Sequence, residues 1–226
     1  MAQKMKCKIL TFDEVYDMTR QVAEKVKASS YRPTTIIGLA RGGWVPARLL
    51  CDFLGITDLI SLKVEHWLET AKTKDEATIR YPLTADLRGK RVLVVDDIAD
   101  TGKSLMAATG YLATFNAEEM RTATMQYIPS SKFIPDYYAE DVRVWTWFIY
   151  PWNWVEDTST LIVRLMDSDG GAVWSATAVN EGLRDLFEVV WDEEMLEYIL
   201  RTMVERNQLV SVGDGHRLKE AKVIRL

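Results

Sequence analysis

Asp96 and Asp97 are adjacent carboxylates, and Asp100, Thr101, Gly102, Lys103 and Ser104 follow closely behind them. Two neighbouring acids repel each other unless hydroxyls or a cation engage them. A ribose diol donates hydrogen bonds to such a pair, and Mg2+ neutralises it directly or through water. Asp100 opens the next loop, where it can exchange a proton with a ring carried on the sugar. The short side chains of Thr101, Gly102 and Ser104 let several backbone N–H groups converge on one phosphate. Gly102 permits close approach, and the hydroxyls add donors. A helix starting near Lys103 contributes the positive field of its N-terminus. The TGKS stretch echoes part of a nucleotide P-loop. Residues 97–100, however, are Asp, Ile, Ala and Asp where the earlier glycines would stand, so a Walker-type ATPase is a poor reading.

A second anion site follows from Ala40-Arg41-Gly42-Gly43, which offers a guanidinium and exposed backbone amides. Two anion sites with a diol- and metal-binding pair of acids describe one ligand well. It is a sugar carrying phosphate at one end and pyrophosphate at the other.

Such groups must sit on rigid strand ends. Val92–Val95 is an unbroken apolar run that reads as a buried strand, and Thr35–Leu39 reads as another. Thr11 and Glu14 have capping-box spacing, and Phe12, Val15, Thr19, Val22 and Val26 recur at helical intervals toward a core. Helices are expected over Val45–Phe53 and Lys103–Phe115, and strands over Asp58–Val64, Glu119–Ile128 and Val142–Ile149. Glu65–Arg80, which holds His66, Trp67, Lys72 and Lys74, loses the pattern and reads equally as a mobile loop or a solvated hairpin. The succession of strand, loop and helix predicts an α/β fold with an open, mostly parallel twisted sheet covered on both faces. Farther on, Val179–Val190 and Glu193–Val204 look helical. Leu209–Val212 and Ala221–Leu226 resemble strands around a turn with Gly213 and Gly215, giving a small winged-helix-like tail.

VLVVDDIADTGKS resembles the signature of the type I phosphoribosyltransferases, and LARGGWVPA resembles their pyrophosphate loop. The similarity runs from about Ile36 to Asp157. It is nearest the microbial and archaeal purine enzymes of xanthine–guanine or hypoxanthine–guanine type, to which an archaeal adenine phosphoribosyltransferase would be related. The resemblance implies that Asp96 and Asp97 hold the ribose hydroxyls and the Mg2+ shell, and that Asp100 faces N7 of the purine. It further implies that Asp100–Ser104, Lys103 included, wraps the 5′-phosphate. Arg41 and Gly42 would take pyrophosphate across a strained or cis peptide, and Glu65–Arg80 would close over the reacting centre. TWFIYPWN resembles the family's aromatic hood, with Trp147 stacking on the purine and Phe148 offering backbone groups to its edge.

The base pocket departs from the family. In the 6-oxopurine enzymes a lysine precedes the proline of this connection and donates to the oxygen at C6. Here YIPSSK puts Ile128 before Pro129. A lysine beside an exocyclic amine sets donor against donor; an isoleucine removes that conflict and also the reward for an oxo group. The expectation is therefore adenine plus 5-phosphoribosyl 1-diphosphate going to AMP and diphosphate. A 6-oxopurine (hypoxanthine, guanine or xanthine) is the alternative, kept open by Lys132, which can fold back. A non-catalytic nucleotide-binding regulator on the same fold is a further alternative.

Size and composition fit this reading. A chain of 226 residues with 48% hydrophobic content can bury one main core with an appendage. The expected division is a core with hood over residues 1–168 and an extension over 169–226 that acts as a lid or subunit contact. A net charge of -5 argues against nucleic acid as a partner. Two cysteines, Cys7 and Cys51, give no disulfide framework and suit a reducing cytoplasm. No apolar run is long enough for a membrane. The resemblance implies a homodimer.

Overall fold

The computed structural model describes residues 4–66, 77–167 and 171–219. In chain order the elements are β1 (Cys7–Ile9), α1 (Phe12–Ala28), β2 (Thr35–Ala40), α2 (Trp44–Leu54), β3 (Leu59–His66), β4 (Ala77–Ile79), β5 (Arg91–Ala99), α3 (Lys103–Leu112), β6 (Glu119–Tyr127), β7 (Tyr137–Asp141), β8 (Trp147–Ile149), α4 (Trp154–Asp167), β9 (Trp174–Ser175), α5 (Ala176–Phe187), α6 (Glu193–Glu205), β10 (Leu209–Val212) and β11 (Gly215–Leu218). They form two units. One is Phe12–Val144; the other joins Met1–Thr11 to Trp145–Leu226. The boundary lies at 144/145, whereas the sequence reading put it at 168/169.

The Phe12–Val144 unit is built on a six-stranded sheet in the order β4-β3-β2-β5-β6-β7. All its pairings are parallel except β3 with β4. The apolar run of β5 is central because its pleat feeds both faces. Leu93 and Val95 pack with Val22, Val26, Ala47 and Leu50 from α1 and α2. Val92 and Val94 pack with Leu105, Ala108 and Leu112 from α3. On α1 the buried positions are Val15, Met18, Thr19, Val22, Ala23 and Val26. Phe12, expected on that face, is 57% exposed, because it begins the helix and its turn precedes the sheet contact.

The last strand of this sheet also differs from expectation. It is Tyr137–Asp141, within and beyond what reads as a connection, while Val142–Ile149 is broken. The side chain of Asp136 explains the difference. It accepts from the Thr122 backbone N–H at 2.8 Å and from the Thr122 hydroxyl at 2.7 Å, which pins β7 to β6. Between Glu65 and Arg80 the described residues follow the hairpin alternative, with Glu65 opposite Thr78. Trp67, Lys72 and Lys74 lie outside the described residues.

In the second unit β1 pairs with β8 in parallel, Cys7 opposite Trp147. Ile149 joins Leu161, Ile162, Leu165, Val179, Leu183, Phe187, Ile199 and Met203 in one core. The strands β9, β10 and β11 make an antiparallel sheet in the order β10-β11-β9. The hairpin turns at Gly213-Asp214, and Gly213 takes a φ of 57°. The return strand is Gly215–Leu218, nearer the turn than expected; residues 220–226 lie outside the described residues. Helices α5 and α6 and the hairpin match the helical and hairpin extension expected from the sequence, whereas α4 (Trp154–Asp167), which joins them in this unit, lies outside that expectation. The exposed face of α6 carries Glu193, Glu194, Glu197 and Glu205 against Arg201. Among the described residues no helix is long and apolar enough to cross a membrane.

Candidate active site

The site lies at the carboxyl edge of the Phe12–Val144 sheet, where β2 and β5 end side by side. Their parallel register, Gly38 opposite Val95, brings the two candidate anion turns together. The peptide after β2, Ala40–Arg41, is cis. Behind it the Gly43 N–H donates to the Leu39 carbonyl at 2.8 Å, folding the chain directly into α2. Both glycines of this turn are dictated by proximity. A Cβ on Gly42 would stand 2.1 Å from Oδ2 of Asp97, and one on Gly43 would stand 2.3 Å from the Val95 carbonyl oxygen. Gly42 of the Arg41 turn thus packs directly against the Asp97 carboxylate.

Asp96 and Asp97 keep some surface in the cleft, yet the protein around them strips away most of their water. Desolvation is the leading cause that raises both above the ordinary carboxylate range, and the charge of Asp97 raises Asp96 further. Local hydrogen bonds oppose the shift. Oδ1 of Asp96 accepts from the Asp97 N–H at 3.0 Å, and Oδ1 of Asp97 accepts from the Ile98 N–H at 2.8 Å. Asp100 is exposed at its tip, and partial burial raises it too.

The loop after Asp100 turns at Gly102, whose φ is 78°. Its missing Cβ would meet Phe133 Cβ and Ser131 Oγ at 2.6 Å each. The Lys103 N–H points back to the Thr101 hydroxyl at 3.4 Å as α3 begins. Asp96, Asp97, Asp100, Thr101, Gly102 and Ser104 are among the residues that line a cavity of about 210 Å³. That volume suits a phosphorylated pentose fragment rather than a whole nucleotide.

The β6–β7 connection folds over this loop. Ile128 donates its N–H to the Ala99 carbonyl at 3.1 Å, Ser131 closes a turn onto the Ile128 carbonyl at 2.8 Å, and Lys132 donates its N–H to the Thr101 carbonyl at 3.2 Å. Ile128 itself is 4% exposed, a core side chain rather than an open pocket wall. Trp147 and Phe148 belong to the other unit. There Trp147 is 38% exposed, sits 6.5 Å from the Trp145 ring, and donates its N–H to the Lys6 carbonyl at 2.9 Å.

Of the sequence-predicted residues, Arg41, Gly42, Asp96, Asp97, Asp100, Thr101, Gly102, Lys103 and Ser104 meet along one sheet edge. The reading of the sequence placed Gly43 in the second anion turn, where its close approach to Val95 now explains the glycine doublet, but missed the Ser131–Phe133 clasp, which carries no local signal. Among the described residues no cluster of three or more His, Cys, Asp or Glu side chains forms a metal site. Two hard carboxylates with raised proton affinity nonetheless fit Mg2+, an ion that keeps several waters and takes its other ligands from bound substrate.

Comparison with known proteins agrees with this geometry. Residues 9–157 match the phosphoribosyl transferase domain. The xanthine-guanine phosphoribosyltransferase of Cereibacter sphaeroides is 32% identical over 121 residues, covering 52% of this chain and 68% of that protein. The enzyme of the same description from Idiomarina loihiensis is 28% identical over 145 residues, covering 64% and 85%. A purine phosphoribosyltransferase structure from Pyrococcus horikoshii superposes with a TM-score of 0.59 at 34% identity, covering 66% of this chain and 95% of that one.

Proposed function

The chain belongs to the phosphoribosyl transferase domain family, and on that premise we propose that it moves 5-phosphoribosyl from its 1-diphosphate to a 6-oxopurine, releasing diphosphate. The observation that carries the reading is the contact of Gly42 with Asp97. It puts a pyrophosphate-type turn and a phosphate-type loop on one small ligand, with paired acids below its hydroxyls.

In this reading N9 of the base bonds to C1′ as the C1′–oxygen bond to diphosphate breaks. The base loses a proton, and Asp100, whose partial burial favours its protonated form, receives it. Arg41 and the amides of the Gly42-Gly43 turn bind the departing diphosphate, and Thr101, Gly102 and Ser104 fix the 5′-phosphate. Asp96 and Asp97 orient the ribose hydroxyls and hold Mg2+, which when bound supplies neutralising charge to the diphosphate.

Adenine, the expectation drawn from Ile128, has the weaker support. Relatives matched over more than half of this chain are xanthine-guanine enzymes, and a buried isoleucine takes away a donor without presenting any acceptor to an amine. The test is a panel of guanine, xanthine, hypoxanthine and adenine with the sugar diphosphate and Mg2+. A 6-oxopurine should exceed adenine in kcat/KM by about tenfold or more. Adenine as the better substrate would overturn the assignment.

A further inference from the structure

We propose that Thr124 is a positioning residue for Asp96: its hydroxyl, unpartnered in the free protein, donates to the Asp96 carboxylate when that carboxylate takes up the sugar's hydroxyls. The inference rests on the phosphoribosyl-transfer reading above and adds a side chain that acts on the ligand only through another.

Thr124 lies within β6 and is 1% exposed, yet its Oγ1 has no hydrogen-bond partner among the described residues. Thr122, two residues earlier on the same strand, shows the usual arrangement. Its hydroxyl donates to Oδ2 of Asp136 at 2.7 Å and accepts from the Asp136 N–H at 3.1 Å. A buried hydroxyl left unpaired is costly, and valine would fill the same volume without that cost. The fold therefore carries an idle donor at one defined place.

That place is beside the acid pair. β6 runs parallel to β5 with Thr124 opposite Asp96. Paired residues on neighbouring strands point to the same face, and successive residues alternate. Ala123 and Val95 pack on the side of α1 and α2, whereas Val92 and Val94 pack with α3. Thr124 and Asp96 thus share the α3 face, on strands ~4.8 Å apart. The residue flanking Thr124 on the other side is Tyr138 of β7, whose ring packs against that of Tyr127 with centroids 5.0 Å apart. Asp96 is the flanking group with a carboxylate to receive the hydrogen, and a change of χ1 rotamer swings Oγ1 along the sheet toward it. Oδ1 of Asp96 already accepts the Asp97 N–H at 3.0 Å. A second donor fixes the plane of the carboxylate, which lines the cavity. A ribose hydroxyl then meets an oriented acceptor instead of a rotor.

Full-length Thr124→Val and Thr124→Ser proteins are compared with the parent in three measurements. These are the Tm of the ligand-free protein, the affinity for ribose 5-phosphate by calorimetry without Mg2+, and steady-state kinetics with the sugar diphosphate, Mg2+ and the parent's best purine. Valine removes the idle hydroxyl and keeps the shape, so Thr124→Val should melt at the parent's temperature or about 2 to 4 °C above it. It should bind ribose 5-phosphate about tenfold more weakly and raise KM for the sugar diphosphate by about tenfold, with a smaller change in kcat. Thr124→Ser keeps the hydroxyl and opens a methyl-sized void. Its Tm should fall by about 2 to 4 °C while its affinity stays within about threefold of the parent's. Stability and binding thus separate, whereas a merely structural threonine would lose both together. A Thr124→Val protein that melts below the parent, or does not fold, shows the hydroxyl already in use in the free protein and overturns the proposal. Unaltered ribose 5-phosphate affinity in that variant does so too, and leaves the transfer reading intact when the parent turns over. A parent that neither binds ribose 5-phosphate nor turns over any purine overturns both.

Discussion

Two helices of each unit begin in opposite ways. In the Phe12–Val144 unit, α2 starts at Gly43 and α3 at Gly102, neither with a side-chain cap nor an acid in its first turn. In the other unit, Ser175 caps α5 through the Ala178 N–H at 3.2 Å, and Asp192 caps α6 through the Met195 N–H at 2.8 Å. Glu193 and Glu194 further offset the α6 dipole. The tail therefore satisfies its helix termini internally, as a unit selected for stability does. The sheet unit begins α2 and α3 beside the acid pair and leaves their field for an incoming anion. The same contrast holds for charge. Asp96 and Asp97 are desolvated at a cost to the apo fold, whereas Glu193, Glu194, Glu197 and Glu205 of the tail stand in solvent and Asp192 caps a helix.

The largest effect expected from this contrast concerns the acid pair. Asp97→Ala should lower kcat/KM by about a thousandfold, since both the ribose and the Mg2+ shell lose a ligand. Yet removing that charge should help the ligand-free fold. The folded-state pKa values of Asp96 and Asp97 lie above their unfolded values. The folded protein then holds protons that the unfolded chain releases, so stability falls as pH rises from the unfolded carboxylate range up through the folded values. Calorimetry of the apo protein should show Tm declining from pH 4 toward pH 7, and Asp97→Asn should flatten that decline by about 5 °C at the neutral end. A less stable Asp97→Asn at pH 7 would erase the distinction between the units. Next in size is Asp100→Ala, expected to lose about a hundredfold in kcat/KM. Because Asp100 titrates above the usual carboxylate range, the variant should also lose the acidic limb of the pH–rate profile. Near-parental turnover would remove its proton role.

What the sequence made legible was local. The apolar run of β5, the acids after it and the glycine turns are each encoded within a few residues, so the sheet's central strand and most of the candidate site could be read directly. The contact of Gly42 with Asp97 was implied only by ligand chemistry, because strand pairing creates it across more than fifty residues of chain. Strand β1, three residues paired to β8, has no signature of its own. Ile128 misled because its position in a motif was read as exposure to ligand, and burial depends on distant packing. The helical spacing of α1 was right in phase, but periodicity does not reveal that the first turn, with Phe12, overhangs the sheet.

Smaller effects separate stability from function. Ser175→Ala and Asp192→Ala should each cost about 1 kcal/mol, through an unpaired helix N–H, and leave kcat/KM per folded molecule unchanged. Thr101→Ala should do the reverse, raising KM for the sugar diphosphate with little change in Tm.

The smallest effect provides the finest comparison, because each unit contains one buried thiol. Cys7 is 4% exposed in the tail unit, and burial, helped by Asp157, pushes its pKa up to about 11 despite Arg164. Cys51 is 5% exposed in the sheet unit and is raised by burial as well. Neither is a thiolate at neutral pH, so both should resist a disulfide reagent until their unit opens. Under conditions where opening precedes labelling, each rate reports the opening equilibrium of its own unit. Asp192→Ala should then speed labelling of Cys7 by about fivefold, the factor that corresponds to the lost cap, and leave Cys51 unchanged. Saturating sugar diphosphate with Mg2+ should slow Cys51 and leave Cys7 as it was, because the ligand's anion turns belong to the unit of Cys51. If both thiols respond equally to the cap variant and to the ligand, the units open as one, and the contrast between their helix termini is one of chemistry rather than of independent stability.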